Sequence, residues 1–406
     1  MKNVKWINSF LCVLLSFYFA FAETSSALSL SELIEDAKLN NPEILAAEAR
    51  WEAAQSRVSS VRHIMDPLVG IEFANSMRMY SVSQQFPFPT KLGTLSKFAR
   101  TEVEEYENEY RQKEQEIISK VKKNYAQLFL IYKRIETKEE SVVFLTQLFH
   151  IASLQYAIGK VPQADVLRAQ IELAKAENDV LTLIDEKTVI ETKLNLLLNR
   201  SPDEKLGVPV GLDTLFPVVK IEDLYALARE HRPALMAMRM QLNKAGVMLS
   251  IAKQKYLPDF MFKFTQQEMN NGPSDQKFMF GLTVPLWFWG KQNEMVREMN
   301  ANLKMAEAHY QHMENLILLA VKEAVVTLDK SRRTALLYQN SILPQAEANL
   351  NSALTAYESN RIDFLSLLES EKVLIQSELD YYRAQAELSV AFADLEEAVG
   401  IDLNER

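Results

Sequence analysis

The sequence predicts a mainly α-helical fold with a small β part, in which one arrangement of long coiled-coil helices and short strands occurs twice. Three observations support this prediction. Glycine and proline are scarce, at 10 and 13 of 406 residues, which disfavours sheet folds with many turns. Apolar residues in the longest segments recur at heptad spacing, and the two halves of the chain align with each other.

The first 22 residues have the pattern of a secretory signal peptide. Lys2 and Lys5 precede an apolar run at 10–21, and Ala20-Phe21-Ala22 supplies small residues for cleavage. The run is short for a membrane span, and an uncleaved anchor is the alternative. Cys12 is the only cysteine, so a mature chain without this segment has no thiol. The formal charge of −9 disfavours binding to nucleic acid.

An internal duplication sets the domain organisation. Residues 31–67 align with residues 222–258, including prolines at matching positions. The sequence therefore predicts a first repeat at 23–200 and a second at 221–406. The linker at 201–220 is the segment where glycine and proline are densest.

Both repeats have the same predicted order of elements. Two helices meet at Asn41-Pro42 or Arg232-Pro233, because proline suits the first turn of a helix. A pair of strands follows, and then one long helix, at roughly 91–157 and 291–358. The heptad spacing in these long helices is typical of left-handed coiled coils.

Each long helix is predicted to turn back on itself. The returning helices are expected at roughly 162–198 and 362–399, and they also have heptad spacing. The tight turns between them, the tips, are expected at about 157–162 and 358–363. Each repeat should therefore end in an antiparallel helical hairpin.

Four short segments alternate between apolar and polar residues, at about 68–76, 79–86, 259–268 and 277–286. Their length and period of two match membrane β-strands. The alternative is two amphipathic hairpins packed on a layer of helices. In the membrane interpretation the lipid-facing residues are Phe73, Val82, Phe260, Phe262, Phe264, Phe278, Phe280 and Leu282.

Aromatic residues follow the last strand. Trp287, Phe288 and Trp289 lie where a strand should reach the bilayer interface, and aromatic side chains gather there. Four strands cannot enclose a water-filled lumen, and open strand edges are not tolerated in lipid. Several copies of the chain are therefore expected to combine their strands.

The residues at the tips and at the chain end resemble those of the TolC-like outer-membrane efflux proteins. The segments with this resemblance are 156–170, 357–369 and 395–400, and the duplicated order of elements extends it over the mature chain. The segment 357–371, with Arg361-Ile362-Asp363, is similar to the branch of that family that works with metal-cation pumps.

The resemblance implies a homotrimer with a 12-stranded barrel in the outer membrane and a 12-helix tunnel in the periplasm. It implies a passive exit channel that docks a periplasmic adaptor and an inner-membrane pump, without a cofactor. The residues that would dock the adaptor are Gly159, Lys160, Val161, Asn360, Arg361 and Ile362.

The resemblance also implies a gate just inside the tips. Asp165 matches an acidic position of the first-repeat motif, and Glu369 matches one of two gate acids in the second repeat. The other acid is replaced by Ser366. Arg361 lies one position from the arginine that links helices in the family, and it is the fourth gate candidate.

Other polar clusters have weaker interpretations. His309 and His312 are spaced as metal ligands can be, but no third ligand is evident and a solvated pair is expected. The acidic run at 102–109 is expected to be a solvated face, with lining of the tunnel as the alternative.

The sequence contains no arrangement typical of an enzyme. We find no Ser/His/Asp set, glycine-rich phosphate loop or cysteine cluster. Two alternatives to a channel remain at this stage. One is a periplasmic coiled-coil adaptor, which would have one hairpin and glycine-rich β domains. The other is an exported structural coiled coil without a barrel.

Overall fold

The structure, a computed structural model, describes residues 27–74, 77–213, 216–217, 220–269, 274–359 and 361–403. The predicted signal peptide and Asn360 lie outside the described residues. The chain divides into two compact units. The hairpin unit comprises the described residues of Met1–Glu35, Val121–Asp213 and Ala335–Glu387. The strand unit comprises those of Asp36–Lys120, Thr214–Thr334 and Leu388–Arg406.

In the first repeat, a short strand β1 (Ala27–Leu28) precedes helices α1 (Leu30–Asn40) and α2 (Pro42–Val61). Asn41 ends α1 and caps α2, because its side-chain oxygen accepts hydrogen bonds from two backbone N–H groups of the first turn. The remaining elements are β2 (Leu68–Ala74), β3 (Met77–Phe86), α3 (Pro89–Ala157) and α4 (Gln163–Leu197).

The second repeat follows the same order after the short strand β4 (Val208–Pro209), which pairs in parallel with β1. Its elements are α5 (Ile221–His231), α6 (Pro233–Gln254), β5 (Asp259–Met269), β6 (Asp275–Thr283), α7 (Asn293–Leu337), α8 (Leu343–Glu358) and α9 (Phe364–Val399). None of the helices in the described part of the chain is long and apolar enough to cross a bilayer.

The segment predicted as one long helix over 291–358 is helical throughout, but it is not a continuous α-helix. A five-residue π-helical turn at Tyr338–Ile342 separates α7 from α8. Pro344 follows this turn; it has no N–H to donate, and its ring would clash with the carbonyl of residue 340 in a regular helix. The long helix of the first repeat contains no proline after Pro89, and it continues unbroken for 69 residues.

The four long strands form one antiparallel sheet in the order β2-β3-β5-β6. The strands β3 and β5 join the two repeats over ten register pairs, from Met77 with Met269 to Phe86 with Phe260. The outer edges of β2 and β6 are left without a neighbouring strand in this sheet.

Alternation gives the sheet an aromatic face and a polar face. Register pairs place the predicted lipid-facing residues on one side, as in the pairs of Phe262 with Phe280 and Phe264 with Phe278. Phe73, Phe278 and Phe280 are 71–73% exposed. The alternative in which this face packs on a layer of helices would bury it, so the exposure favours the membrane interpretation.

A lysine–aspartate pair fixes the base of the sheet to the start of α3 within the strand unit. Lys91 Nζ lies 2.7 Å from Asp259 Oδ1 and 2.9 Å from the carbonyl oxygen of Leu257. The same aspartate oxygen accepts the N–H of Phe88 at 3.0 Å. Strands from different repeats are thereby aligned where the chain passes from strand to helix.

Each of the two returning helices is followed by a residue with a positive φ, in the left-handed region. Asn199 has φ 56° after α4, and Gly400 has φ 90° after α9. These residues are 201 positions apart, which is also the separation of Tyr156 and Tyr357. At Gly400 the backbone is tightly packed, since an added Cβ would lie 2.7 Å from the Cα of Arg232.

We expect Gly400→Ala to destabilise the mature protein. A positive φ costs an L-residue about 1–2 kcal/mol, and the contact with the Arg232 backbone adds to this cost because backbone atoms cannot move aside as a flexible side chain can. The midpoint of thermal unfolding in detergent, followed by circular dichroism, measures the effect.

Gly246→Ala is the matched control. Gly246 lies inside α6 and an added Cβ meets nothing within 4 Å, so alanine should stabilise the helix by roughly 1 kcal/mol. A Gly400→Ala midpoint equal to or above that of the wild type would contradict the packing of the α9 end.

Candidate functional site

A hydrophobic core positions both tips in the hairpin unit. Its fully buried centre includes Ala152 of α3, Ala169 of α4, and Phe364 and Leu367 of α9. Alanine on α3 and α4 lets these helices approach closely, while the larger side chains of α9 fill the space between them. The side chains next to the turns are therefore held by packing.

The first tip is a glycine turn. Gly159 has φ 70°, and its N–H donates to the carbonyl oxygen of Tyr156 at 2.9 Å. The N–H of Lys160 donates to the carbonyl oxygen of Gln155 at the same distance. Gly159 and Lys160 are exposed, whereas Val161 is half-buried.

The second tip is fixed by a side-chain cap that the sequence analysis did not identify. Oδ1 of Asp363 accepts hydrogen bonds from the N–H of Ser366 at 2.9 Å and from its hydroxyl at 2.5 Å. These bonds hold the pKa of Asp363 below its ordinary value. Ser366, a gate candidate, is thus bonded to the neighbouring carboxylate of Asp363. Asp363 caps the N-terminus of α9, a position at which aspartate is common.

The two tips are connected through Tyr357. Its ring packs edge-to-face with Phe364 at 6.3 Å, and its hydroxyl donates to Oε1 of Gln155 at 3.4 Å. Ile362, which is half-buried, packs against the same core. This contact joins the end of α3 to the start of α9.

The other gate candidates stay apart from each other in a single chain. Asp165 is half-buried in the first turn of α4, while Arg361 and Glu369 are exposed. Among the described residues of the hairpin unit, these three side chains form no ion pair. The pairing of Arg361 with either acid is therefore a prediction for an assembly of several chains.

A polar cleft of about 630 Å³ lies between α3, α4 and α9, and its lining residues fall within 138–145, 172–179 and 369–379. Lys138 pairs with Asp179 at 2.8 Å, and Lys372 pairs with Glu172 at 3.0 Å. Glu369 also lines the cleft.

Glu371 is the buried carboxylate of this cleft. It is 4% exposed and accepts a hydrogen bond from the Ser141 hydroxyl at 2.5 Å. Lys138, Lys372 and Glu172 face it, but burial has the largest effect and raises the pKa of Glu371. The two lysines are already paired with other acids, so no cation is dedicated to this carboxylate.

Sequence reasoning missed Glu371, although the heptads contain a signal. It lies four residues after Leu367 and three before Leu374, which are core positions of α9. A carboxylate at such a position must be buried against the partner helices. Glu378, seven residues later, has a pKa raised for the same reason.

The acidic run is only in part the solvated face that the sequence predicts, and lining of a tunnel by these residues stays a prediction. Glu102 and Glu105 are 8% and 4% exposed and pair with Arg57 and Lys244. Glu109 pairs with Arg50 at 2.9 Å. These acids bind the neighbouring helices of the strand unit, because a buried carboxylate needs a counter-charge.

The aromatic residues after β6 are exposed together. Trp287, Phe288 and Trp289 are 50–69% exposed, and Trp289 contacts the other two edge-on at 5.0 and 5.9 Å. His309 and His312 are also exposed. In the described part of the chain, no three His, Cys, Asp or Glu residues are grouped as a metal site.

Comparison with known proteins gives consistent results. The model of the family described as outer membrane efflux protein matches residues 33–200 and 224–401. The cobalt-zinc-cadmium resistance protein CzcC of Cupriavidus metallidurans is 20% identical over 88% of this chain and 87% of its own. Toxin and drug export protein A of Aggregatibacter actinomycetemcomitans is also 20% identical, over 66% of this chain and 64% of its own.

Solved structures share the fold. The outer membrane protein VceC of Vibrio cholerae superposes with a TM-score of 0.78 at 18% identity, covering 92% of this chain and 96% of its own. CusC, whose structures concern folding and transmembrane channel formation, has a TM-score of 0.80 at 15% identity and 92% coverage of both chains.

The position of Glu371 predicts a pH dependence of the hairpin unit. Burial raises the pKa of Glu371 in the folded state, so its contribution to the free energy of unfolding is fully present below the ordinary pKa of 4.5. This contribution is lost as the pH rises through the raised pKa. We therefore expect Glu371→Gln to slow hydrogen exchange along 367–378 above that range and to change little at acid pH.

Glu369→Gln is the matched control, because Glu369 is exposed on the same helix two residues away. The quantity compared is the difference in exchange rate between variant and wild type at each pH, so that the titration of other groups cancels. An equal effect of both substitutions, or a pH-independent effect of Glu371→Gln, would contradict the assignment.

Proposed function

The chain belongs to the outer membrane efflux protein family, and on that premise we propose that three copies assemble into one exit channel through the outer membrane. Each copy contributes four strands to a 12-stranded barrel, and its helical hairpins contribute to a 12-helix tunnel in the periplasm. Substrates pass by diffusion from a pump in the inner membrane, through a periplasmic adaptor, to the outside. No catalytic step is part of this proposal.

The sheet is the observation that supports this function best. It has one exposed aromatic face and two edges, β2 and β6, without partner strands among the described residues. Unpaired backbone groups cost several kcal/mol each in lipid. Pairing β6 of one copy with β2 of the next removes every edge when the ring closes, and rotational symmetry makes all such contacts equivalent.

We assign adaptor docking to the tips. Gly159, Lys160 and Arg361 are exposed there, and the core behind them holds the turns in place. Val161 and Ile362 present partly exposed apolar surface beside the two cations. The residue between Ser359 and Arg361, Asn360, belongs to the same proposed surface by its sequence position alone.

We assign the gate to the acids and the arginine next to the tips. Threefold symmetry turns Asp165 and Glu369 into rings of three carboxylates if they face the axis. Arg361 would hold neighbouring helices together by pairing with one ring. Ser366 acts through Asp363, whose carboxylate it keeps in position.

Charge on the aromatic face should prevent assembly in the membrane. Arginine at Phe262 or Phe280 would lie near the middle of a lipid-facing strand, where a charge costs about 2–4 kcal/mol. Thr265→Arg and Thr283→Arg change the polar face and are the matched controls. We expect the heat-modifiable oligomer on gels to be lost in the first two variants only.

Equal tolerance of arginine at all four positions would refute the assignment of the faces. Carbonate washing of membranes is an independent test of membrane insertion, because an exported coiled-coil protein without a barrel would be released. The wild type should stay with the membrane fraction.

The gate assignment predicts two separable effects on conductance. Arg361→Glu should raise the single-channel conductance in planar bilayers, because it replaces an attraction between helices by a repulsion. The double variant Asp165→Asn with Glu369→Gln should lower the preference for cations, read from the reversal potential in a salt gradient. Exposed ion pairs contribute only about 0–1 kcal/mol each, so partial opening is expected.

Glu358→Gln is the control, since this acid lies at the end of α8 and outside the proposed rings. If conductance and selectivity stay at wild-type values in both gate variants, these residues lie on the outer surface of the tips.

A further inference from the structure

The polar face of the sheet lines the pore if the proposed trimeric barrel forms, and the inference below rests on that proposal. Over residues 77–83 of β3 the residues of this face are more covered than those of the aromatic face: Met77, Met79, Ser81 and Ser83 are half-buried, whereas Arg78, Tyr80 and Val82 are exposed. The order reverses only at the strand end, at Gln84 and Gln85. Side chains on the concave side of a curved sheet are more crowded, and so less exposed, than those on the convex side. The curvature therefore agrees with a polar interior.

Five described residues on this face are charged, at positions 72, 259, 263, 275 and 277. Three of them are compensated. Asp259 pairs with Lys91 at 2.7 Å, and Lys277 lies 3.4 Å from Asp275. Lys277 also donates to Oε1 of Gln267 at 3.3 Å.

Lys263 is the uncompensated cation in the middle of this face. Among the residues that the structure describes, it forms no ion pair. Its register partners are Ser83 on β3 and Met279 on β6, so its neighbours across the sheet are uncharged. The side chain of Met261, two residues earlier, lies over Gly281 and brings no charge either.

The nearest free acid on the same face is too distant to neutralise Lys263. Glu72 is in register with Met79 of β3, which is in register with Gln267 of β5. Gln267 lies four residues after Lys263 on the same strand. That is roughly 13 Å along the sheet, and two strands across add about 10 Å. The separation exceeds the Debye length of ~8 Å at physiological salt.

We propose that Lys263 sets the ion selectivity of the barrel section of the channel. The three copies of Lys263 form a ring of positive charge on a pore wall that is otherwise neutral at that height. A narrow passage with weakly polarisable walls concentrates the field of such a ring. The barrel then favours anions and the anionic ends of organic substrates, whereas the acids assigned to the gate favour cations.

Single-channel recording of the purified full chain in planar bilayers tests this proposal. In a KCl gradient at low ionic strength, Lys263→Gln should raise the permeability ratio of K⁺ to Cl⁻ by about twofold. Arg78→Gln is the matched control, because it removes the same charge from β3 on the aromatic face. This control should leave the ratio unchanged.

A charge can also be added after assembly. The sequence has one cysteine, Cys12, in the predicted signal peptide, so Lys263→Cys introduces the only thiol of a mature chain. A cationic methanethiosulfonate reagent should restore the wild-type ratio, and an anionic one should raise the ratio beyond that of Lys263→Gln. Wild-type channels exposed to the same reagents should not respond.

The outcomes separate this inference from the function on which it rests. An unchanged permeability ratio of K⁺ to Cl⁻ in Lys263→Gln would overturn the role of Lys263 and leave the exit channel intact. The same conclusion would follow if neither reagent reached the thiol of Lys263→Cys from the pore. Failure of the wild type to form any channel would overturn the proposed function itself. Lys263→Met is the second variant if glutamine disturbs assembly, since methionine already occupies the facing position 279.

Discussion

The unpaired edges of a four-stranded sheet are the constraint on which the rest of this molecule depends. β2 and β6 end the sheet with rows of N–H and C=O groups that have no partner strand in the part of the chain that the structure describes. In water such edges invite aggregation, and in lipid they are not tolerated. The aromatic residues exposed on one face are a second cost that a single chain cannot remove. Both costs disappear when the edges pair between copies and the aromatic face meets lipid.

The helices follow a different physical rule, because heptad packing tolerates polar residues in a way that a lipid-facing strand does not. The core of the hairpin unit combines fully apolar layers, such as Ala169 against Leu367, with the buried carboxylate of Glu371. A uniformly apolar seam would be more stable. Polar groups in a coiled-coil seam fix register at a cost in stability, and here that cost depends on pH.

The sequence was sufficient for the main architecture of this outer-membrane efflux protein. The scarcity of glycine and proline, the heptads and the period-two segments predicted a mainly helical fold with a small β part, and the structure and its relatives confirm it. Strand alternation is a local signal, so residues such as Phe280 could be placed on a face directly. The π-helical turn near Tyr338 was missed although Pro344 was visible, because it moves the buried positions by only one residue, to Ala346 instead of position 345.

The site was harder to predict than the fold. Asp165, Arg361 and Glu369 were chosen by resemblance to a family, and the roles proposed for them need neighbouring chains. The burial of Glu371 could be predicted from its heptad position. Its hydrogen bond from Ser141 and the pair of Glu105 with Lys244 depend on contacts between distant segments, which no local pattern encodes. The acidic run shows the same limit, because spacing alone does not distinguish a solvated carboxylate from a buried one with a partner.

Native mass spectrometry of the mature chain, extracted from outer membranes in mild detergent, tests the central claim most directly. We expect a single species of three copies that dissociates only on heating, because each copy has two strand edges that close only in a ring. A monodisperse monomer that keeps its strand signal would contradict it. An open-ended series of oligomers would do so as well.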